Sequence, residues 1–229
     1  MAAPRRLLLK LSGEAFQGEA GPLSPESIAA IARAIASLSK TELGIVVGGG
    51  NILRGGRSPW LDRVDADTLG MLATIVNGLA LRAALAAAGR EAIVQSAVAT
   101  ELTEPISARK ARQALAQGAV VIFAGGTGNP FVTTDTAAAI RAASIEADLL
   151  AKASNVAGVY SEDPRKGKKA KLIPELSYDE YLAGRYGVMD LMAVEICRDQ
   201  RIPIAVFDLA KPGALAAVAA GKRVGTRIS

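Results

Sequence analysis

Four segments of this sequence carry the residue types that bind phosphate groups. They read KLSGE at 10–14, GGGNILR at 48–54, FAGGTGNPFVTTDT at 123–136 and KASNVAGVYSED at 152–163. Glycines let an anion approach backbone N–H groups closely, and a nearby lysine or arginine supplies positive charge. We therefore predict one anion-binding site assembled from all four segments. The sequence contains neither a Walker loop nor the glycine pattern of dinucleotide-binding folds.

The aspartate of the third segment has two roles that the sequence does not separate. Three glycines there allow a tight turn, and Thr133 or Thr134 can cap the helix that we predict to follow. Asp135 falls in the first turn of that helix, where a carboxylate stabilises the helix dipole. The same carboxylate could instead orient a lysine or a magnesium-bound water. Both interpretations stay open at the level of sequence.

Alternating strand and helix patterns predict the elements that position these segments. Short apolar runs predict strands at 6–11, 44–47, 92–94, 120–123, 148–150 and 204–207. Helical patterns lie between them, at 69–88, 108–117 and 134–145, with further starts signalled by Ser24-Pro25, by a capping box at 177–180 and by Pro212. We predict an α/β fold, a mostly parallel sheet with helices on both faces, as a single domain over 1–229. Ligands of such sheets bind beyond the carboxyl ends of the strands, where the four segments lie.

Composition excludes several kinds of chemistry. The sequence has no histidine, which removes the commonest general base and the commonest zinc ligand. Its single cysteine, Cys197, cannot form an internal disulfide, and we interpret it as a packing residue. The net charge of +5 suits an anionic ligand but is too small to predict nucleic-acid binding, and the basic segment 164–171 is interpreted as a solvated loop.

Membrane spans or a secretory signal in the sequence would indicate where the protein acts. No apolar run approaches the roughly eighteen residues that a membrane span requires, and residues 1–6 lack the apolar region of a secretory signal. We therefore expect a cytoplasmic protein without a membrane partner.

The order of the motifs resembles that of the bacterial UMP kinases, a family of the amino acid kinase superfamily. The matching strings are KLSGE at 10–14, GGGNILRG at 48–55, GMLAT at 70–74, GTGNPFVTTD at 126–135, VMDL at 188–191 and KPGAL at 211–215. They extend over nearly the whole chain, and GTGNPFVTTD is the most specific. The resemblance implies a three-layer αβα sandwich, transfer of phosphate from MgATP to UMP in pyrimidine nucleotide synthesis, a homohexamer, and feedback inhibition by UTP.

The resemblance also assigns residues to the two substrates. It implies that ATP is bound by Lys10, Leu11, Ser12, Gly13, Gly50, Arg54, Ser154, Asn155, Tyr160 and Asp163. It implies that UMP is bound by Gly49, Asp67, Thr127, Gly128, Asn129, Pro130, Phe131, Val132, Thr133 and Thr134. Lys10, Arg54 and Asp135 would carry the reaction, with Mg²⁺ arriving with ATP and no protein metal ligand assigned.

Asp67 and the segment 17–24 fit the family pattern less directly than the other motifs. From the residues alone, Asp67 is interpreted as the N-cap of the long helix, and only the resemblance makes it a ribose ligand. The segment QGEAGPLS at 17–24 departs from the glycine-rich segment that proteobacterial members carry after KLSGE, and this departure puts activation by GTP in doubt.

The reaction itself suits a protein without histidine. A phosphate monoester has a second pKa of about 6, so the UMP phosphate is mostly dianionic at neutral pH and attacks without a general base. Positioning and charge neutralisation are then sufficient for in-line transfer.

Two alternatives share part of the pattern. A relative that phosphorylates a carboxylate or carbamate, such as acetylglutamate kinase or aspartokinase, would share the ATP side but would not be expected to carry GTGNPFVTTD with Arg54 and Asp67. A nucleotide-sensing regulator that had lost transfer would typically lack a charged phosphate contact, whereas Lys10, Arg54, Asp135 and Asp163 are all present.

Overall fold

Parallel strands make up most of the central sheet. The computed structural model describes residues 5–19, 21–53, 60–162 and 170–229. Its strands are β1 (Arg6–Leu11), β2 (Glu42–Val47), β3 (Ala92–Ser96), β4 (Glu104–Pro105), β5 (Val120–Ala124), β6 (Leu149–Ser154), β7 (Val159–Tyr160), β8 (Leu172–Ile173), β9 (Glu175–Leu176), β10 (Ile204–Asp208) and β11 (Thr226–Ile228). Nine of them form one sheet in the order β4-β3-β5-β2-β1-β6-β10-β11-β9, and β7 pairs with β8 as a separate hairpin. Within the nine-stranded sheet β10 and β11 run antiparallel, and the other neighbours pair in parallel.

Helices cover both faces of this sheet. They are α1 (Pro25–Ala36), α2 (Arg63–Ala87), α3 (Ala108–Ala116), α4 (Thr134–Ser144), α5 (Tyr178–Ala183), α6 (Leu191–Asp199) and α7 (Ala214–Ala219). Two apolar clusters fill the space between the layers, one under α1, α2 and α7 and the other under α3 to α6. The predicted αβα sandwich is therefore confirmed. Cys197 of α6 is fully buried, and burial raises the pKa of its thiol to about 12, as fits a packing residue.

Most predicted helix starts are confirmed, and two are wrong. Ser24 caps α1 by accepting a hydrogen bond from the backbone of Ser27, and the capping box at 177–180 opens α5. The long helix α2 begins at Arg63, six residues before the predicted start, because Asp62 caps it. Asp67 is therefore not an N-cap. The last helix α7 begins at Ala214 and not at Pro212.

Helix α2 also corrects the expectation about membrane-spanning length. By length and composition, its 25 residues could cross a membrane. The expectation missed this helix because polar residues interrupt its apolar sequence. One such helix is weak evidence for a membrane, since a core helix passes the same test. The buried face of α2 packs against the sheet through Ile75, Leu81 and Leu85. Its Asn77 is fully buried and hydrogen-bonded to other parts of the chain, which fits a helix packed on protein.

Candidate active site

The four predicted phosphate-binding segments meet at one edge of the sheet. They follow β1, β2, β5 and β6, which are consecutive in the sheet order β5-β2-β1-β6 and parallel to one another. Their carboxyl ends therefore lie side by side, as predicted. Two cavities open there. The larger has a volume of about 710 Å³, and the smaller has a volume of about 140 Å³.

The residues assigned to ATP do not all line the same cavity. Lys10, Ser12, Ser154, Asn155 and Tyr160 line the larger cavity. The side chain of Leu11 is fully buried in the core, so only its backbone can face a ligand. Gly50 lines the smaller cavity and not the larger one. Arg54, Asp163 and most of the basic segment 164–171 lie outside the described residues, so their assignments stay predictions.

Half of the residues assigned to UMP line the smaller cavity. They are Gly49, Asp67, Asn129, Val132 and Thr134. The other five do not line this cavity but belong to the same loop between β5 and α4, and they are Thr127, Gly128, Pro130, Phe131 and Thr133. The assignments are thus brought together in space by the loop between β5 and α4, the loop after β2 and the start of α2.

Asp67 links that loop to α2. Its Oδ2 accepts a hydrogen bond from the Phe131 backbone N–H at 2.8 Å and another from Arg63 Nε at 2.8 Å. The Arg63 guanidinium also lies over the Phe131 ring, 5.7 Å from its centroid. Phe131 itself adopts a left-handed backbone conformation with φ of 66°, which costs energy for a residue other than glycine. The hydrogen bond from its N–H to Asp67 helps to hold this conformation.

Glycines are required where the first two loops approach each other. A Cβ on Gly13 would lie 2.5 Å from the backbone nitrogen of Gly50 and 2.5 Å from Oδ1 of Asn51. A Cβ on Gly49 would lie 2.6 Å from the carbonyl oxygen of Gly70 in α2. These distances are too short for any real side chain, so the glycines allow the loops and α2 to pack closely.

A buried cluster of three charged groups lies at the centre of this edge. Asp135 pairs with Lys10 through Oδ1 at 2.9 Å and with Lys152 through Oδ2. Lys10 and Lys152 are register partners on the adjacent strands β1 and β6. All three residues are largely buried, at no more than 8% exposed, and both lysines line the larger cavity. The cluster therefore carries two positive charges and one negative charge in a poorly solvated place.

Electrostatics fix the protonation state of Asp135. Burial alone would raise the pKa of Asp135, but the charges of Lys10 and Lys152 outweigh burial and lower this pKa to about 2. Burial lowers the pKa of Lys152, although pairing with Asp135 opposes that change. Asp135 is therefore a carboxylate at neutral pH and a very weak base.

Asp135 lies in the first turn of α4, and the structure shows which groups its carboxylate contacts. Thr133 is the N-cap of α4, because its Oγ1 accepts hydrogen bonds from the backbone N–H groups of Asp135 and Thr136. The carboxylate of Asp135 is directed to the two lysines. Its interactions are therefore those of a group that orients lysines.

Three polar residues of the site were missed at the level of sequence. Lys152 was noted only as a cation in its segment, although a lysine inside an apolar strand, matching Lys10 in β1, is a signal of this role. Asn77 donates to the carbonyl of Gly48 and to Asn51, and so supports the second loop. Asp190 accepts hydrogen bonds from Thr133 and Thr136. Asn77 had no sequence signal beyond its polarity, whereas Asp190 lies in the VMDL string, to which no role was assigned.

The fold and the site together define a broad class of protein. A mostly parallel sheet with phosphate-type loops and a buried lysine–aspartate cluster at its carboxyl edge defines an α/β protein that binds anionic ligands. The model of the amino acid kinase family matches residues 5–208. The chain therefore belongs to the amino acid kinase family.

Within this family, the chain is similar over nearly its whole length to several uridylate and UMP kinases. The chain is 48% identical to the uridylate kinase of Magnetococcus marinus, over 100% of this chain and 97% of that one. It is 46% identical to the chloroplastic uridylate kinase PUMPKIN of Arabidopsis thaliana, over 98% of this chain and 68% of that one. The crystal structure of UMP kinase from Bacillus anthracis superposes with a TM-score of 0.95 at 36% identity, covering 99% of this chain and 96% of that one. Uridylate kinase from Archaeoglobus fulgidus gives a TM-score of 0.77 at 29% identity, covering 97% and 99%.

Proposed function

We propose that this protein is a uridylate kinase that transfers the terminal phosphoryl group of ATP to UMP. The observation that carries the proposal is the buried Lys10–Asp135–Lys152 cluster, which adjoins lining residues of both cavities. Lys10 and Lys152 line the larger cavity, while Thr134, the residue before Asp135, lines the smaller one. Similarity over 98% or more of this chain to uridylate kinases from a bacterium and a plant supports the choice of UMP as the acceptor.

Each cavity takes one nucleotide in this proposal. ATP occupies the larger cavity, beside Ser12, Ser154, Asn155 and Tyr160. UMP occupies the smaller cavity, and its ribose binds to Asp67. The ribose either displaces the present hydrogen bonds of this carboxylate to Phe131 and Arg63 or is bound in addition to them. Arg54 and Asp163 contact phosphate and ATP, respectively, as the resemblance implies.

Transfer then depends on charge neutralisation and alignment. The cluster carries one net positive charge on largely buried residues beside the larger cavity, so it stabilises negative charge that develops on the transferred group. Asp135 holds the two ammonium groups in place and keeps their mutual repulsion from driving them apart. It does not abstract a proton, because its pKa is about 2 and the UMP phosphate is already ionised.

Magnesium enters this scheme with ATP. Among the described residues, no group of three or more acidic, histidine or cysteine side chains is placed to hold a metal ion, and both Asp135 oxygens face lysines. This donor set fits an ion held mainly by ATP phosphates and water, as Mg²⁺ usually is in kinases. When bound, the ion neutralises phosphate charge. The residues of the chain bind the nucleotides and hold the lysines.

The remaining sequence predictions are retained as proposals. The chain forms one domain over residues 1–229, acts in the cytoplasm, assembles as a homohexamer and is inhibited by UTP. Activation by GTP is not expected, because the segment at 17–24 departs from the glycine-rich form. Support for self-association comes from α2, whose outward face exposes Leu69, Leu72 and Val76 at helical spacing.

The direct test is an acceptor screen. Purified protein with MgATP is expected to release ADP in the presence of UMP, and to release far less with acetylglutamate or aspartate. The product is identified as UDP by chromatography. Tight binding of UMP without any UMP-dependent release of ADP would contradict the proposal and favour a nucleotide sensor.

A further inference from the structure

A short loop between α5 and α6 contacts the buried cluster from outside the four phosphate-type segments. We call residues 188–190 the bracket. The carbonyl oxygen of Val188 accepts a hydrogen bond from Lys152 Nζ, and the backbone N–H of Asp190 donates to Asp135 Oδ2 at 3.4 Å. The Asp190 carboxylate also accepts from Thr136 at 2.6 Å. The bracket therefore touches both members of the Lys152–Asp135 pair.

One side chain holds the middle of the bracket. The hydroxyl of Tyr181 donates to the Met189 carbonyl oxygen at 2.8 Å and accepts from the Met189 N–H at 2.7 Å. Tyr181 is fully buried, and Met189 is 1% exposed, so water cannot replace this double contact. The Tyr181 ring also packs near Tyr186, with 5.5 Å between centroids. Tyr181 lies in α5, and a capping box stabilises the start of this helix. The backbone that carries the Tyr181 side chain is therefore held in place.

We propose that Tyr181 is a positioning residue for phosphoryl transfer, acting through the bracket on Lys152. The chain of contacts runs from the Tyr181 hydroxyl to the Met189 backbone, to the Val188 carbonyl, and to the Lys152 ammonium group beside Asp135. Tyr181 touches no substrate in this arrangement. The proposal rests on the proposed function, since it concerns the rate of that reaction.

A specific functional defect follows from loss of the hydroxyl. Without it, the N–H and C=O groups of Met189 are buried without these partners, and the bracket must shift to satisfy them. The Val188 carbonyl moves with it, and Lys152 loses its second anchor. Lys152 then points less accurately at the transferred group, and small misplacements of a charge-stabilising group slow transfer strongly. Binding of UMP on the opposite side of Asp135 is expected to change little.

The test is Tyr181→Phe, which keeps the ring and removes only the hydroxyl. We expect kcat with UMP to fall about tenfold or more while KM for UMP changes less than about twofold. The matched control is Tyr178→Phe, which removes a hydroxyl from a partly buried tyrosine of the same helix. Tyr178 is not among the residues lining either cavity, so kcat is expected to stay near that of the unmodified protein.

A double-variant cycle distinguishes positioning from a general loss of stability. If Tyr181 acts through Lys152, then Tyr181→Phe has little further effect on kcat in a Lys152→Met background. The same loss of kcat in both backgrounds would overturn the proposal. So would an unchanged kcat for folded Tyr181→Phe, even if its unfolding temperature were lower. These outcomes require that the unmodified protein phosphorylates UMP; absence of that activity would instead contradict the proposed function.

Discussion

At the scale of single residues, the charge of Asp135 determines what the site can do. A buried carboxylate between two lysines is stable only while it is ionised, because its loss would leave two like charges together in a poorly solvated place. The pKa of about 2 therefore describes a contribution to folding as well as the protonation state of Asp135. Nothing in the spacing of GTGNPFVTTD revealed this, since the second lysine comes from a different strand.

We predict that Asp135→Asn destabilises the fold in a pH-dependent way. The folded pKa of about 2 lies below the ordinary value of 3.8, so the carboxylate stabilises the fold above pH 4 and loses that effect as pH falls through 2. Urea unfolding of both proteins should show their difference in unfolding free energy shrinking by about 1 kcal/mol between pH 5 and pH 3. A constant difference over this range would mean that the folded pKa of Asp135 is not lowered.

At the scale of elements, the sequence predicted the parts with strong local signals. Apolar runs marked six strands of the sheet, and serine caps marked the starts of α1 and α5. The start of α2 was missed because the segment 62–67 around it is mostly polar and contains three aspartates, of which Asp62 is the cap. The short strands β4, β7, β8 and β9 were missed because two residues carry no periodicity.

Site residues were predictable only where their segment was recognisable. The loops followed from their glycines, whereas Asn77, Asp190 and Tyr181 contribute through contacts between segments distant in sequence. Asn77, for example, reaches a carbonyl 29 residues away. Such contacts depend on the packing of whole elements, and a single sequence does not encode them in any local pattern.

The close packing of the second loop on α2 predicts the effect of Gly49→Ala. The new methyl group would lie 2.6 Å from the Gly70 carbonyl oxygen and 2.9 Å from Ala73 Cβ, so the loop must move away from α2. We expect KM for UMP to rise about tenfold and stability to fall by about 1–3 kcal/mol. Steady-state kinetics and urea unfolding measure the two effects.

Gly78→Ala is the matched control on the same helix. Its added methyl group would have ordinary contacts of 3.4 Å or more, and alanine favours the helix by about 1 kcal/mol over glycine. KM for UMP should therefore be unchanged. An unchanged KM for Gly49→Ala as well would show that the second loop does not shape the UMP site.

At the scale of the whole molecule, α2 contributes both to the smaller cavity and to an exposed apolar face. The cluster and both cavities lie at the carboxyl edge, while the outward face of α2 extends along one side of the sandwich. Leu72 and Val76 of this face are 45% and 44% exposed, which is high for apolar side chains on a long helix. A second copy of the chain would bury them and remove the cost of their exposure to water.

We therefore predict that Leu72→Glu combined with Val76→Glu reduces the mass of the assembly. Sedimentation equilibrium should give about six chain masses for the unmodified protein, as the resemblance implies, and a smaller oligomer for the double variant, because burying two carboxylates is unfavourable. Leu172→Glu is the control, since Leu172 is similarly exposed but lies in the β7–β8 hairpin. An unmodified protein that is monomeric, or one that floats with lipid vesicles through this helix, would contradict self-association at α2.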